Sequence, residues 1–373
     1  MKCIAVTPGI KDSARLIEVE KPRVDKDRLL VRVRRVGIDG TDIDINQGLY
    51  GKAPEGKRKL ILGHESVGRI EEMGEEAKGF KLGDLVVATV RRPCEEDCLN
   101  CHHGESDMCL TGHFKERGIN GLDGYLSEYY TEVSEFLVKV PDDLEEVAVL
   151  LEPFSIVEKG IFQTFKIQER MLWEPKKVLV LGAGGIGLLA ALICRLKGLA
   201  VFLLARKELE GVRAEIVTRT GMTYLREDIS FEQIRSMYGE MDIIFEATGF
   251  SPLAFHSLPV LHANGSMCLL GIPVDSHTVT INATQLFSKM VLGNQVLFGS
   301  VNANRKYFEM GLEEMRKIEN QYPGLLKKLI TQRLARRSYA TVPSPSLLSS
   351  QPPPKPVKSV FVVLLVRSVP DLS

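Results

Sequence analysis

The chain has 373 residues, enough for two domains, with 44% hydrophobic and 26% charged residues, a balance that suits sizeable folded cores. Lys+Arg and Asp+Glu each total 48, so no net charge points to a nucleic-acid or membrane partner. No signal-peptide core lies in "MKCIAVTPGI" and no apolar run reaches transmembrane length, so a soluble, cytoplasmic protein is expected.

Residues 1–156 read as a mainly β domain. "LLVRVRRVGI", "VGRIEEM" and "DLVVATV" mix β-branched residues with Gly-containing turns. Behind the first lies "VGIDGTDIDINQG", with Asp39, Asp42 and Asp44 in six positions. A calcium loop starting at Asp42 fails, because position 6 is Gln47 rather than Gly and position 12 is Ala53 rather than Glu. "LGHESVG" then sets His64 and Glu65 between glycines.

Cys94, Cys98, Cys101 and Cys109 follow as C-x3-C-x2-C-x7-C, in a lobe over 93–110. Four thiolates at short spacing close a tetrahedral site, which reads as a structural zinc. His102 and His103 inside the loop are expected at the surface. Cys3, Cys194 and Cys268 sit in apolar contexts and read as core residues.

Residues 157–300 change texture. "VLVLGAGGIG" places Gly182, Gly184 and Gly187 in G-x-G-x-x-G spacing, with Gly185 inside it, after an apolar strand and before an apolar helix. That context marks a dinucleotide site with the pyrophosphate at the helix N-terminus. Alternating strands and helices predict a doubly wound parallel sheet. The second strand ends in "LLARKE", where Ala205 stands near the position of the acid that binds a ribose 2′-hydroxyl. Arg206 and Lys207 follow, and two cations suit a 2′-phosphate. NADP is therefore expected, with NAD as the alternative through Glu208. The ends of later strands add Thr248 and Gly271 to the cofactor-binding candidates.

Residues 301–337 read as a return to the first domain. Between Asn320 and Pro370 there is no Asp or Glu but eight Lys or Arg. Residues 338–373 form an atypical Pro/Ser-rich tail, expected to be disordered or to derive from a reading frame shifted near 333. The run "SVFVVLLV" within it could still supply a terminal strand by composition.

Several motifs coincide. Gly63, His64, Glu65, Gly68, Gly74 and Ala77 match the signature of the zinc-containing medium-chain dehydrogenase/reductase superfamily. The chain is most similar to archaeal glucose dehydrogenases through "DGTD", "LGHE", "VRRPC", "ERGINGLDGYLSEY", "LLEPFSIVEKGI" and "GSVNANRKYF". The resemblance implies an α/β architecture, a Rossmann domain plus a mainly β GroES-like catalytic domain. It implies a catalytic zinc held by Asp39, His64 and Glu152, with Glu65 ligating or holding water. Thr41 would relay a proton beside the catalytic His64 and Glu65, and Thr41, Glu116, Glu152 and Asn302 would face the sugar. The implied reaction is zinc-assisted oxidation of an aldose such as D-glucose or D-galactose at C1, with hydride transfer to NADP or NAD, in a homodimer or homotetramer. An alcohol, polyol or threonine dehydrogenase is the alternative, and an inactive nucleotide-binding relative is another because of the tail.

Overall fold

A computed structural model describes residues 1–273, 276–335 and 361–365. It separates into two units, one of Met1–Glu152, Asn302–Leu312 and Leu329–Ser373, the other of Pro153–Val301 and Glu313–Lys328. The returning segment 301–337 is thus shared between the units.

The first unit is built on the eleven-residue strand Arg28–Ile38. Its Leu29, Leu30, Val31, Val33 and Val36 are buried, and each large apolar side chain so buried contributes roughly 1.5–3 kcal/mol. A seven-stranded sheet runs Leu137–Lys139, Leu85–Ala88, Glu65–Met73, Arg28–Ile38, Phe361–Leu365 and Ile330–Ala335, with Tyr129–Val133 also paired to Arg28–Ile38. Val31, Val33 and Val36 pack with Leu60, Ile70, Val86 and Tyr125 in its core. Small sheets flank it: Arg15–Glu18 with Lys2–Val6 and Leu60–Ile61, and Arg91–Arg92 with Lys115–Arg117 and Gly121–Leu122. On the strand Tyr129–Val133 of the seven-stranded sheet, one buried carboxylate, Glu132, draws in both Arg92 and Arg117.

The apolar run near the C-terminus forms the strand Phe361–Leu365, antiparallel to Arg28–Ile38 and parallel to Ile330–Ala335. The expectations for 338–360 and 366–373 lie outside the described residues.

The second unit carries six parallel strands in the order Thr223–Arg226, Ala200–Ala205, Lys177–Leu181, Met241–Glu246, Leu261–Leu269 and Val296–Gly299. In chain order this is 3-2-1-4-5-6, the dinucleotide-binding arrangement. "VLVL" at 178–181 is wholly buried, as a strand with helices on both faces must be. Helix Gly185–Leu196 buries eight consecutive residues from Gly187 to Cys194 against this sheet. Cys3, Cys194 and Cys268 are all buried.

Candidate active site

Strand Arg28–Ile38 delivers the chain to Asp39, which caps helix Gly40–Asn46. Asp39 Oδ1 accepts the Asp42 amide at 3.2 Å and the Asp42 carboxylate accepts the Asp39 amide, so the two aspartates cap one helix start reciprocally. Thr41 Oγ1 donates to Asp39 Oδ2 at 3.1 Å. Asp42 Oδ1 also accepts the amide of Gly63 at 2.9 Å. Gly63 has φ +88°, a conformation that glycine adopts without strain, and the turn it makes points His64 back at this cap. Glu65 opens the next strand directly opposite Gly37.

His64 Nε2 lies 3.7 Å from Asp39 Oδ2, and Nδ1 lies 3.9 Å from Asp42 Oδ2 with no hydrogen bond to any described residue. One ligand atom each from Asp39, His64 and Glu65 falls within a 4.8 Å cluster. Glu152 is buried but stands outside that set. Burial pulls His64 down, yet Asp39, Asp42, Glu152 and Glu65 outweigh it and push its pKa up to about 10. Burial drives Glu65 well above the usual carboxyl range, with Asp39 and Glu152 adding to it. Burial likewise lifts Glu152 to about 7; His64 opposes this and Asp39 and Glu116 reinforce it. One imidazole among four carboxyls leaves the pocket short of positive charge. A divalent ion supplies that charge, and His nitrogen with carboxylate oxygens is a donor set zinc accepts. The residues therefore fit a catalytic metal.

Cys94, Cys98, Cys101 and Cys109 form a second cluster, again within 4.8 Å. Four sulfurs about 2.3 Å from one zinc stand roughly 3.8 Å apart, and Cys98 and Cys109 are already at 4.0 Å. Backbone donation from Leu110, then Cys101, lowers the Cys98 thiol to about 6, towards the thiolate that binds metal. His102 and His103 are exposed, their Nδ1 atoms taken up by Asp97 at 3.1 Å and the Leu99 carbonyl at 2.7 Å. Beyond the lobe, Asn302 Nδ2 donates to Glu116 Oε1 at 2.8 Å, so these two sugar-facing candidates touch each other.

In the second unit the glycine turn has the required clearances. Gly182 has φ +105°, and a Cβ there would meet Thr248 Cγ2 at 2.7 Å. A Cβ on Gly187 would strike the Gly182 carbonyl oxygen at 1.8 Å, while one on Gly184 would meet open space. Gly184 caps helix Gly185–Leu196 without a side-chain bond, leaving the first amides to an anion. Buried Glu246 accepts the amides of Thr248 and Gly249, which shapes the turn facing Gly271. Arg206 and Lys207 are exposed beyond Ala205, and Glu208 is engaged by Arg226. Two contributors escaped sequence reasoning. Arg213 is buried and donates from Nε to the Ala183 carbonyl at 2.9 Å, bracing the glycine turn. Arg91 is bound to Glu116. Neither arginine carries a local pattern that marks its role, although "VRRPC" contained the second.

Comparison with known proteins agrees with this layout. The family described as Glucose dehydrogenase C-terminus matches residues 145–342, and the Alcohol dehydrogenase GroES-like domain matches residues 25–142. The glucose 1-dehydrogenase of Methanocella arvoryzae is 46% identical over 335 residues, covering 90% of this chain and 93% of that relative. Glucose 1-dehydrogenase 2 of Vulcanisaeta moutnovskia is 43% identical over 340 residues, covering 91% and 94%. The solved structure of Haloferax mediterranei glucose dehydrogenase in complex with NADP, Zn and gluconolactone superposes with a TM-score of 0.87 at 31% identity, covering 99% of this chain and 100% of that one.

Proposed function

Since this chain belongs to the glucose dehydrogenase family of zinc-containing medium-chain dehydrogenases, we propose that it is an NADP-dependent glucose 1-dehydrogenase. It oxidises an aldose such as D-glucose or D-galactose at C1 to the aldonolactone. The observation that carries this reading is the cluster of half-buried Asp39 with buried His64 and Glu65, in a chain that also holds a dinucleotide-binding sheet. Asp39, His64 and Glu65 would hold the catalytic zinc, with Glu152 as a further candidate donor. When bound, zinc polarises the C1 hydroxyl and NADP accepts the hydride. The chain's own residues do the rest. Thr41, bonded to Asp39 Oδ2 and half-buried, hands the hydroxyl proton on to bulk water as the C1–H bonding pair leaves as hydride to NADP. Glu116, Glu152 and Asn302 take the remaining sugar hydroxyls. Arg206 and Lys207 pair with the 2′-phosphate, and the uncapped amides after Gly184 take the pyrophosphate.

The four-cysteine lobe would hold a structural zinc, a use of reduced thiols that supports a cytoplasmic location. Among the described residues no helix is long and apolar enough to cross a membrane. The homodimer or homotetramer is supported by helix Ala283–Leu292, which buries none of its residues and exposes Phe287, Val291 and Leu292 near the edge strand Val296–Gly299.

The test is a panel of aldoses, polyols and simple alcohols under NADP and NAD, followed by absorbance of the reduced cofactor. Stereospecific turnover of aldoses is expected, and it should vanish in Asp39→Ala together with one of two zinc sites. Turnover of simple alcohols without aldoses would favour the alcohol or polyol alternative and sink this reading.

A further inference from the structure

Arg91 and Glu116 face each other across the antiparallel pair of strands Arg91–Arg92 and Lys115–Arg117. Both guanidinium nitrogens on that side reach one carboxylate oxygen. Arg91 Nε is 3.1 Å and Nη2 is 3.0 Å from Glu116 Oε1. Asn302 Nδ2 donates to the same oxygen at 2.8 Å. Asn302 is itself fixed. It is buried at φ +58°, and its Oδ1 accepts the Ala303 amide at 2.9 Å. Arg91 is 7% exposed, its guanidinium lies 3.6 Å above the Phe114 ring, and Nη1 donates to the Asp107 carbonyl at 3.1 Å. Asp107 lies between Cys101 and Cys109, so this arginine joins the cysteine lobe to Glu116.

Three nitrogens thus crowd Oε1, while Oε2 has no hydrogen-bond partner among the described residues. Glu116 is also close enough for its charge to act on buried Glu152, beside the candidate metal ligands. A carboxylate on three rotatable bonds ordinarily loses conformational freedom when it binds a ligand, a cost worth about tenfold in affinity. Here that freedom is already gone.

We propose that Arg91 is a positioning residue for sugar recognition: with Asn302 it clamps Glu116 by one oxygen and presents the other as a fixed acceptor for a sugar hydroxyl. The proposal rests on the sugar dehydrogenase reading above. A site built around such an acceptor rejects an analogue that lacks the hydroxyl, because the buried polar group is then left unpaired. Lysine does not replace the arginine fully. One ammonium cannot bring two fixed donors to Glu116 Oε1, stack on Phe114 and reach the Asp107 carbonyl together.

The test uses the full chain as Arg91→Met, Arg91→Lys, Glu116→Gln and the Arg91→Met/Glu116→Gln double variant. Initial rates with D-glucose, its monodeoxy analogues and NADP are combined with equilibrium binding of gluconolactone without cofactor. Arg91→Met is expected to raise the glucose KM and weaken lactone binding about tenfold. It should leave the NADP KM within about twofold and reduce discrimination against one deoxy analogue. Arg91→Lys should recover part of the loss. In the Glu116→Gln background, Arg91→Met should add little, because it acts through Glu116. If Arg91→Met fails to fold, Arg91→Lys and its double variant with Glu116→Gln carry the same comparison. Unchanged glucose KM and lactone binding in the Arg91 variants, or equal losses towards glucose and NADP, overturn the clamp and leave the proposed function standing. A wild-type chain that neither oxidises an aldose nor binds its lactone overturns both.

Discussion

The amide of Gly63 donates to Asp42 Oδ1 at 2.9 Å, tying the turn before His64 to the helix cap that holds Asp39. Burial first, then Asp39, lifts the Asp42 carboxyl to about 6 against the pull of His64. Asp42→Ala strands a buried amide and one half of the capping box. It should cost about 1–3 kcal/mol in denaturant unfolding and lower turnover at least tenfold. Asp42→Asn keeps the Oδ1 acceptor and should retain most of the stability. Equal stability of the alanine variant and the parent would show that the tie is not holding the two segments together.

Gly37 leaves the space that Glu65 occupies. A Cβ at Gly37 would lie 1.7 Å from Glu65 Oε2, and the two residues are register partners in the central sheet. Gly37→Ala therefore displaces the Glu65 carboxylate. The expected result is a folded chain, destabilised by about 1–3 kcal/mol, with catalytic-site zinc and turnover much reduced. Zinc content measured beside far-ultraviolet circular dichroism separates these effects. Full zinc and normal turnover in the alanine variant would mean that Glu65 does not matter to the site.

Arg206 and Lys207 are the exposed cations next to Ala205, at the end of the second strand of the parallel sheet. Replacing both with alanine removes the partners proposed for the 2′-phosphate. The KM for NADP should rise about 10–100-fold, equivalent to about 1.4–2.8 kcal/mol, while the KM for NAD changes little. A parallel rise for both cofactors would assign these residues to the fold rather than to phosphate recognition.

What could be read from sequence follows from how local each feature is. The strand, glycine turn and helix over 178–196 lie within one stretch, so hydrophobic run and glycine spacing suffice. The cysteine lobe is local in the same way. The gathering of Asp39, His64 and Glu65 is not local, and only the order of the "DGTD" and "LGHE" motifs suggested it. Glu132 with Arg92 and Arg117 gave no signal, because a buried ion cluster drawn from separate strands looks like ordinary surface charge in sequence. The clamp on Glu116 was invisible for the same reason: Asn302 is 186 positions away. The terminal strand Phe361–Leu365 was hinted at by composition, but its pairing partner could not be read from any local pattern.

Glu158 and Glu314 lie in the second unit, each burying one carboxylate oxygen that has no hydrogen-bond partner among the described residues, Oε1 and Oε2 respectively. Burial pushes Glu158 up to about 7; Glu314 adds to this, and Lys197 and Lys317 oppose it. The folded chain therefore holds the Glu158 proton up to about pH 7, whereas the unfolded chain releases it near about 4.3. Between those values the native state binds more protons, so stability falls as pH rises. The full contribution is present below the unfolded value, and roughly 4 kcal/mol of it is gone above about pH 7. Glu158→Gln keeps the shape and removes the titration. It should unfold at higher denaturant than the parent at about pH 8 and at a similar concentration near about pH 4. Parent and variant curves that run parallel across that range would remove Glu158 as the source of the pH dependence.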